Sequence, residues 1–176
     1  MVAIAQLLIV QLGAFYHGRA REATPPYNRR VDAAARIAAS PEEIEAALEV
    51  RRVVFIEGQG VDEALERDGQ DGEAIHAIAY GSGRVVAAGR MLPQAGGDRT
   101  VGRVGRMAVL AEHRRKGLAT AVLRALEAEA RRRGWRGVEL HAQAYVAELY
   151  AKEGYAAIGA PFSEAGIEHV TMTKAL

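Results

Sequence analysis

Cysteine is missing from all 176 residues. Its absence removes disulfides, thiolate nucleophiles and cysteine-based zinc sites together, and it fits a reducing compartment, the cytoplasm. Net charge is almost missing too. A balance of +1 with neutral histidines gives no global attraction to nucleic acid, so any basic surface must be local and no nucleic-acid partner is expected. The amino-terminal run MVAIAQLLIVQLGAFYHG, interrupted by Gln6 and Gln11, falls short of the ~18 to 20 apolar residues that span a bilayer. It also lacks the basic flank and small-residue cleavage site of a signal peptide, so no membrane partner is expected. The five histidines are scattered, without the HExxH spacing that puts two ligands on one helix face, and no metal is expected. Phosphate loops of the GxxxxGKS/T and GxGxxG types are absent as well.

What is present is enough apolar material for a sizeable core, 49% of residues, in a chain of single-domain length. Residues 1–30 read as an extension and linker. Ile4, Leu7, Leu8 and Leu12 make one face of a short helix suited to packing on the domain or on a second copy, which keeps a homodimer open, and Pro25 and Pro26 bias residues 21–28 to an extended form. The domain proper runs from 31 to 176. It opens with a short strand around Val31–Ala38. Ser40 and Glu43 then form a capping box for a helix ending near Arg51. Between 51 and 71, Phe55 and the valines read as core, and Arg52, Glu57, Gln59, Asp68 and Asp71 as solvated surface. Two apolar runs around Gly81-Ser82-Gly83 predict a β-hairpin, followed by a loop over Pro93–Asp98.

The stretch Val104–Thr120, VGRMAVLAEHRRKGLAT, carries the chemistry. An apolar strand runs into three cations, a glycine and then an amphipathic helix. The first turn of a helix leaves N–H groups without intrahelical partners and carries partial positive charge, so an anion suits it. Gly117 allows close approach of a ligand, Ala119 is nearly as small, and Arg114, Arg115 and Lys116 ring the opening: a diphosphate cradle. Leu118 to Arg133 have helical spacing. Leu118, Val122, Ala125 and Leu126 form the sheet-facing stripe, Glu127–Arg131 and Glu129–Arg133 pairs lie on the wet side, and Gly134 ends the helix. Val138–Gln143 then alternates as a strand, and strand–helix–strand in a unit of this length predicts a parallel pair with right-handed crossover. A short helix with Tyr145, Leu149 and Tyr150 stops at Gly154. A strand follows from Tyr155, and Ile167–Lys174 reads as the last one.

Two segments resemble the GCN5-related N-acetyltransferase (GNAT) family. Arg114-x-x-Gly117-x-Ala119 is similar to its cofactor signature, and Gln143 to Tyr155, with Ala147, Leu149-Tyr150 and Gly154-Tyr155, is similar to its AsnxxAxxLeuTyrxxxGlyPhe motif. Gln143 replaces Asn and Tyr155 replaces Phe. Residues 51–59, 140–143 and 164–169 resemble the ElaA-like branch, with Gly58 where that branch commonly has Glu. The resemblance implies an α/β (α+β) acyl-CoA N-acyltransferase fold: a mixed, mostly antiparallel sheet with a central splayed parallel pair flanked by helices. It further implies acetyl-CoA as co-substrate, with its pyrophosphate on the amides from Arg114 through Lys116, Gly117, Leu118 and Ala119 to Thr120. Gln143 belongs to the same cofactor-binding set. The backbone of Met107, Ala108 and Val109 pairs with the pantetheine arm, and Tyr150 protonates the departing thiolate. The acceptor would be a primary amine on a small molecule or peptide. An amine of ordinary pKa ~10.4 is almost wholly protonated at pH 7 and needs a base; Glu57, His76, Glu139 and His141 are the acceptor-pocket candidates for that task. A non-catalytic acyl-CoA sensor is the competing reading.

Overall fold

The strands are β1 (Ala35–Ile37), β2 (Ile75–Gly81), β3 (Arg84–Pro93), β4 (Val101–Val109), β5 (Gly137–Gln143), β6 (Ala156–Glu164) and β7 (Ile167–Ala175). They form one sheet in the order β1-β2-β3-β4-β5-β7-β6. Every neighbouring pair is antiparallel except β4 and β5, which run parallel at its centre. This computed structural model describes residues 34–94, 100–164 and 166–176. The expected amino-terminal arm and linker lie outside the described residues, as does most of the loop after Pro93.

Local chemistry sets most boundaries. Ser40 caps α1 (Pro41–Arg51), its hydroxyl accepting from Glu43 N at 3.4 Å. The reciprocal half of the expected capping box is displaced by one residue: the Glu43 carboxylate accepts from Ala39 N at 2.7 Å and pairs with Arg36. The α-helix ends at Arg51 as expected, and the chain keeps coiling as a π-helical turn over Arg52–Glu57, because no glycine or proline breaks it before Gly58. A one-turn helix absent from the sequence reading, α2 (Glu63–Glu66), is capped by Asp62. In the hairpin, Ser82 and Gly83 both take positive φ, 52° and 80°, the combination whose twist matches that of the flanking strands. Helix α3 (Leu118–Arg132) ends at Gly134, φ 73°, and α4 (Ala147–Lys152) precedes β6.

Helix α3 lies across β1 to β4 and buries Leu118, Val122, Leu123, Leu126 and Ala130 against them. The expected wet face of α3 needs correction, since Glu127 and Glu129 are both buried. Glu127 is buried, accepting from Tyr155 Oη at 3.0 Å and Lys174 Nζ at 2.7 Å, with Arg131 only at 3.8 Å. The carboxylate therefore ties α3 to β7 and to the chain entering β6. Glu129 does meet Arg133 as expected, at 2.7 Å.

The α3 face leaves no room at Gly89. A Cβ there would sit 2.5 Å from Met107 Sδ and 2.8 Å from Val122 Cγ1, with Leu126 Cδ1 at 3.3 Å. Gly105 on the neighbouring strand has nothing within 4 Å of that position. Gly89→Ala is therefore expected to lose about 1 to 3 kcal/mol by overpacking, and Gly105→Ala under half as much, when both are compared by urea unfolding. Equal losses would contradict the packing described.

Candidate active site

The parallel pair is joined only over its first half. Register runs from Val101↔Gly137 to Val104↔Leu140 and stops there. Beyond it Ala108 and Val109 keep only β3, and His141 to Gln143 keep only β7. The cause is a β-bulge in β4. Between Ala88↔Ala108 and Arg90↔Gly105 the single residue Gly89 stands opposite both Arg106 and Met107, and Arg106 takes the left-handed conformation, φ 53°. An inserted residue bends its strand away from a neighbour, which opens a cleft whose walls carry backbone groups without strand partners across it.

The loop after β4 turns through a helical turn at Ala111–His113 into α3, whose N-cap is Gly117 at φ 78° with no side-chain cap. No atom lies within 4 Å of where a Gly117 Cβ would be, so the backbone conformation, rather than crowding, explains glycine at this point. The first-turn amides of Leu118, Ala119 and Thr120 thus head an uncapped 15-residue helix. Arg114, Arg115 and Lys116 are exposed around them. Arg114 Nε donates to Val109 O at 3.1 Å and Lys116 Nζ to Glu112 O at 2.8 Å. One carbonyl assigned to the pantetheine arm is therefore held by Arg114.

Tyr150, on α4, is buried with its ring edge-on to Tyr155, centroids 5.9 Å apart. Its hydroxyl has no hydrogen-bond partner among the described residues and is not sealed from solvent. Burial first, and then the nearby Tyr145, push its pKa up to about 12, so the phenol keeps its proton at neutral pH.

The four base candidates do not sit together. Glu139 and His141 alternate with buried Val138, Leu140 and Ala142 on β5. They share one face, at the level where β4 and β5 separate. Gln94 Nε2 donates to Glu139 at 3.1 Å, and His141 Nδ1 lies 3.0 Å from Glu164 Oε2 and edge-on to Phe162 at 4.8 Å. Gln143 carries the same face to the end of β5, paired with His169. Glu57 is exposed on the π-helical turn and held by Arg52 at 2.6 Å. His76 is buried on β2, Nε2 donating to Asp71 O at 2.9 Å and Nδ1 without a partner. It faces an ion network that sequence reasoning missed.

That network corrects the solvated reading of Asp68 and Asp71. Fully buried Arg51 donates to Glu66 and Asp71, both at 2.5 Å. Arg90 grips Asp68 at 2.6 and 2.7 Å and reaches Asp71 at 3.0 Å. Arg106, the bulge residue, donates to Leu65 O at 2.7 Å and reaches Asp68 at 3.3 Å. The Arg90 guanidinium holds the Asp68 carboxyl far below the usual range. Burial is the strongest single influence on Asp71 and opposes its charge, yet Arg51 and Arg90 together outweigh it and its pKa is lowered. The pairing joins residues 15 to 41 positions apart, and no periodicity announces such contacts. Arg103 was missed as well. It projects on the Glu139–His141 face, its Nη2 2.9 Å from His141 Nδ1.

A mixed sheet whose central parallel strands part beside an uncapped helix is the acyl-CoA N-acyltransferase fold. Comparison with known proteins gives the same result. An acetyltransferase (GNAT) domain model matches residues 37–176. The uncharacterized N-acetyltransferase YjcF of Bacillus subtilis (strain 168) is 34% identical over 139 residues, covering 78% of this chain and 96% of its own. Among crystal structures, an acyl-CoA N-acyltransferase from Pseudomonas aeruginosa superposes with a TM-score of 0.67 at 27% identity, covering 80% of this chain and 97% of that one. Escherichia coli ElaA shares the fold, TM-score 0.66 at 24% identity over 77% of this chain and 92% of its own. The chain belongs to the GNAT acetyltransferase family and is an acyltransferase.

Proposed function

We propose that this enzyme moves an acetyl group from acetyl-CoA directly to the primary amine of a small molecule or peptide. The observation that carries the reading is the open wedge between β4 and β5 beside the uncapped start of α3. An extended amide-bearing arm suits the one, and a diphosphate suits the other. The residues present fit the donor. Its diphosphate would be held by the amides of Gly117 to Thr120 with Arg114 and Arg115 alongside, and its arm by backbone groups of Met107 and Ala108. When bound, it supplies an activated acyl group on a thiol leaving group.

The protein's own part is to bring the two substrates together, to take a proton from the acceptor and to give one to the thiolate. Glu139 or His141, on the cleft face, would accept the first proton, directly or through water. Tyr150 would give the second. With no cysteine in the chain and no other nucleophile in a recognisable setting, a single direct transfer is the simplest course. Residues 31–176 would be the working unit and residues 1–30 an appendage to it.

The test is thiol release from acetyl-CoA across a panel of primary amines, with coenzyme A binding measured separately by calorimetry. Acceptor-dependent release is expected. Tight binding with no release for any amine would favour the sensor, and absence of binding would remove the reading altogether.

A further inference from the structure

Charge pairing across the molecule singles out one residue beside the cleft. Among the described residues most arginines and lysines meet a carboxylate within 4.0 Å. Arg103, Arg114, Arg115 and Lys116 have none. Three of these surround the diphosphate cradle, where an anion is expected. The fourth, Arg103, is exposed and stands opposite Glu139 in the β4–β5 register. Glu139 takes its hydrogen bond from Gln94 instead, and Glu164 lies against His141. The guanidinium therefore lies on the Glu139–His141 face, next to the point where β4 and β5 part, with donors to spare.

We propose that the acceptor is an amine that also carries a carboxylate, and that Arg103 holds that carboxylate. The inference rests on the acyl-transfer reading of the cleft given above. The guanidinium lies beside His141, which is level along the strands with Gly105, because Val104 pairs with Leu140. Because Arg106 and Met107 share one place opposite Gly89 and Ala108 pairs with Ala88, Met107 and Ala108 are one and two residues of β3 beyond Gly105, ~3 to 7 Å at ~3.4 Å per residue. That span is short enough for one small acceptor, such as an amino acid or a short peptide, to reach both the guanidinium and the acyl group. A planar guanidinium binds a carboxylate through two parallel bonds, which fixes the amine's approach as well as its affinity.

The experiment compares matched acceptors with the full chain and acetyl-CoA: 4-aminobutyrate against butylamine, and glycylglycine against its neutral amide. The carboxylate-bearing member of each pair is expected to show a kcat/KM higher by ~10-fold or more, the span of a charge-assisted hydrogen bond. Arg103→Gln is expected to erase that preference by raising KM for the acidic members; because Arg103 also lies 2.9 Å from His141, any change passed through that residue falls on both members of a pair and cancels in their ratio. Arg103→Lys should restore part of it. Neutral amines used equally well by the parent enzyme, no turnover of either acidic acceptor, or a preference that survives Arg103→Gln would each overturn the proposal. If butylamine is acetylated while the preference is absent, acyl transfer stands and the anionic acceptor falls. If coenzyme A does not bind, both fall.

Discussion

Tyr150→Phe is expected to lower kcat by at least ~10-fold, about 1.4 kcal/mol of barrier, with the affinity for coenzyme A unchanged. The substitution removes one oxygen and keeps the ring that packs on Tyr155, so the fold should be unaffected. The hydroxyl is the only part of the side chain with no partner of its own among the described residues. Its pKa of about 12 shapes what it can do. Full transfer to a thiolate of pKa ~8.5 is uphill by about 5 kcal/mol, so the phenol would act by donating a hydrogen bond that strengthens as negative charge builds on sulfur. The raised pKa has a sign that can be checked. The group stays protonated from neutral pH to well beyond pH 10, so kcat should show no alkaline decline from this residue below about pH 11. Turnover within two-fold of the parent in Tyr150→Phe would remove the assignment.

The largest loss of stability is expected at Arg51. Replacing it with alanine leaves Asp71 with Arg90 but leaves buried Glu66 with no cation nearer than Arg106 at 3.9 Å, and breaking a buried pair in this way costs about 3 to 5 kcal/mol. Thermal unfolding with urea titration would read the loss. A value below ~1 kcal/mol would mean that the network contributes little to holding residues 58–74 on the sheet. The same network predicts a direction in acid. Asp68 and Asp71 bind protons more weakly folded than unfolded, so their contribution is complete above about pH 5 and declines as pH falls below ~4. Asp68→Asn should flatten that decline.

The consequence for function runs through Arg106. Its side chain reaches from the β4 bulge to the carbonyls of Leu65 and Glu66, so the segment that Arg51 and Arg90 hold also supports the kink that parts β4 from β5. Arg51→Ala is thus expected to raise the acceptor KM even at temperatures where the protein remains folded.

The sequence by itself determined the elements and their order. Period-two runs specified the hairpin and β5, the amphipathic spacing of Leu118, Val122 and Leu126 specified α3, Gly117 and Gly134 marked its two ends, and two short motifs carried the family. These signals lie within one or two turns of chain, and such short-range patterns can be read without knowing what packs where. The tertiary structure alone decided which charges are paired and taken out of full contact with water. Asp68, Asp71 and Glu127 look solvated because carboxylates usually are; here each meets a cation brought from another element. It also decided that His76 lies within an ion network and Glu57 on an exposed helical turn, whereas Glu139, His141 and Arg103 share the open face of the cleft. Ion pairs and clefts depend on where distant residues meet after the sheet has formed, and no local spacing encodes that meeting.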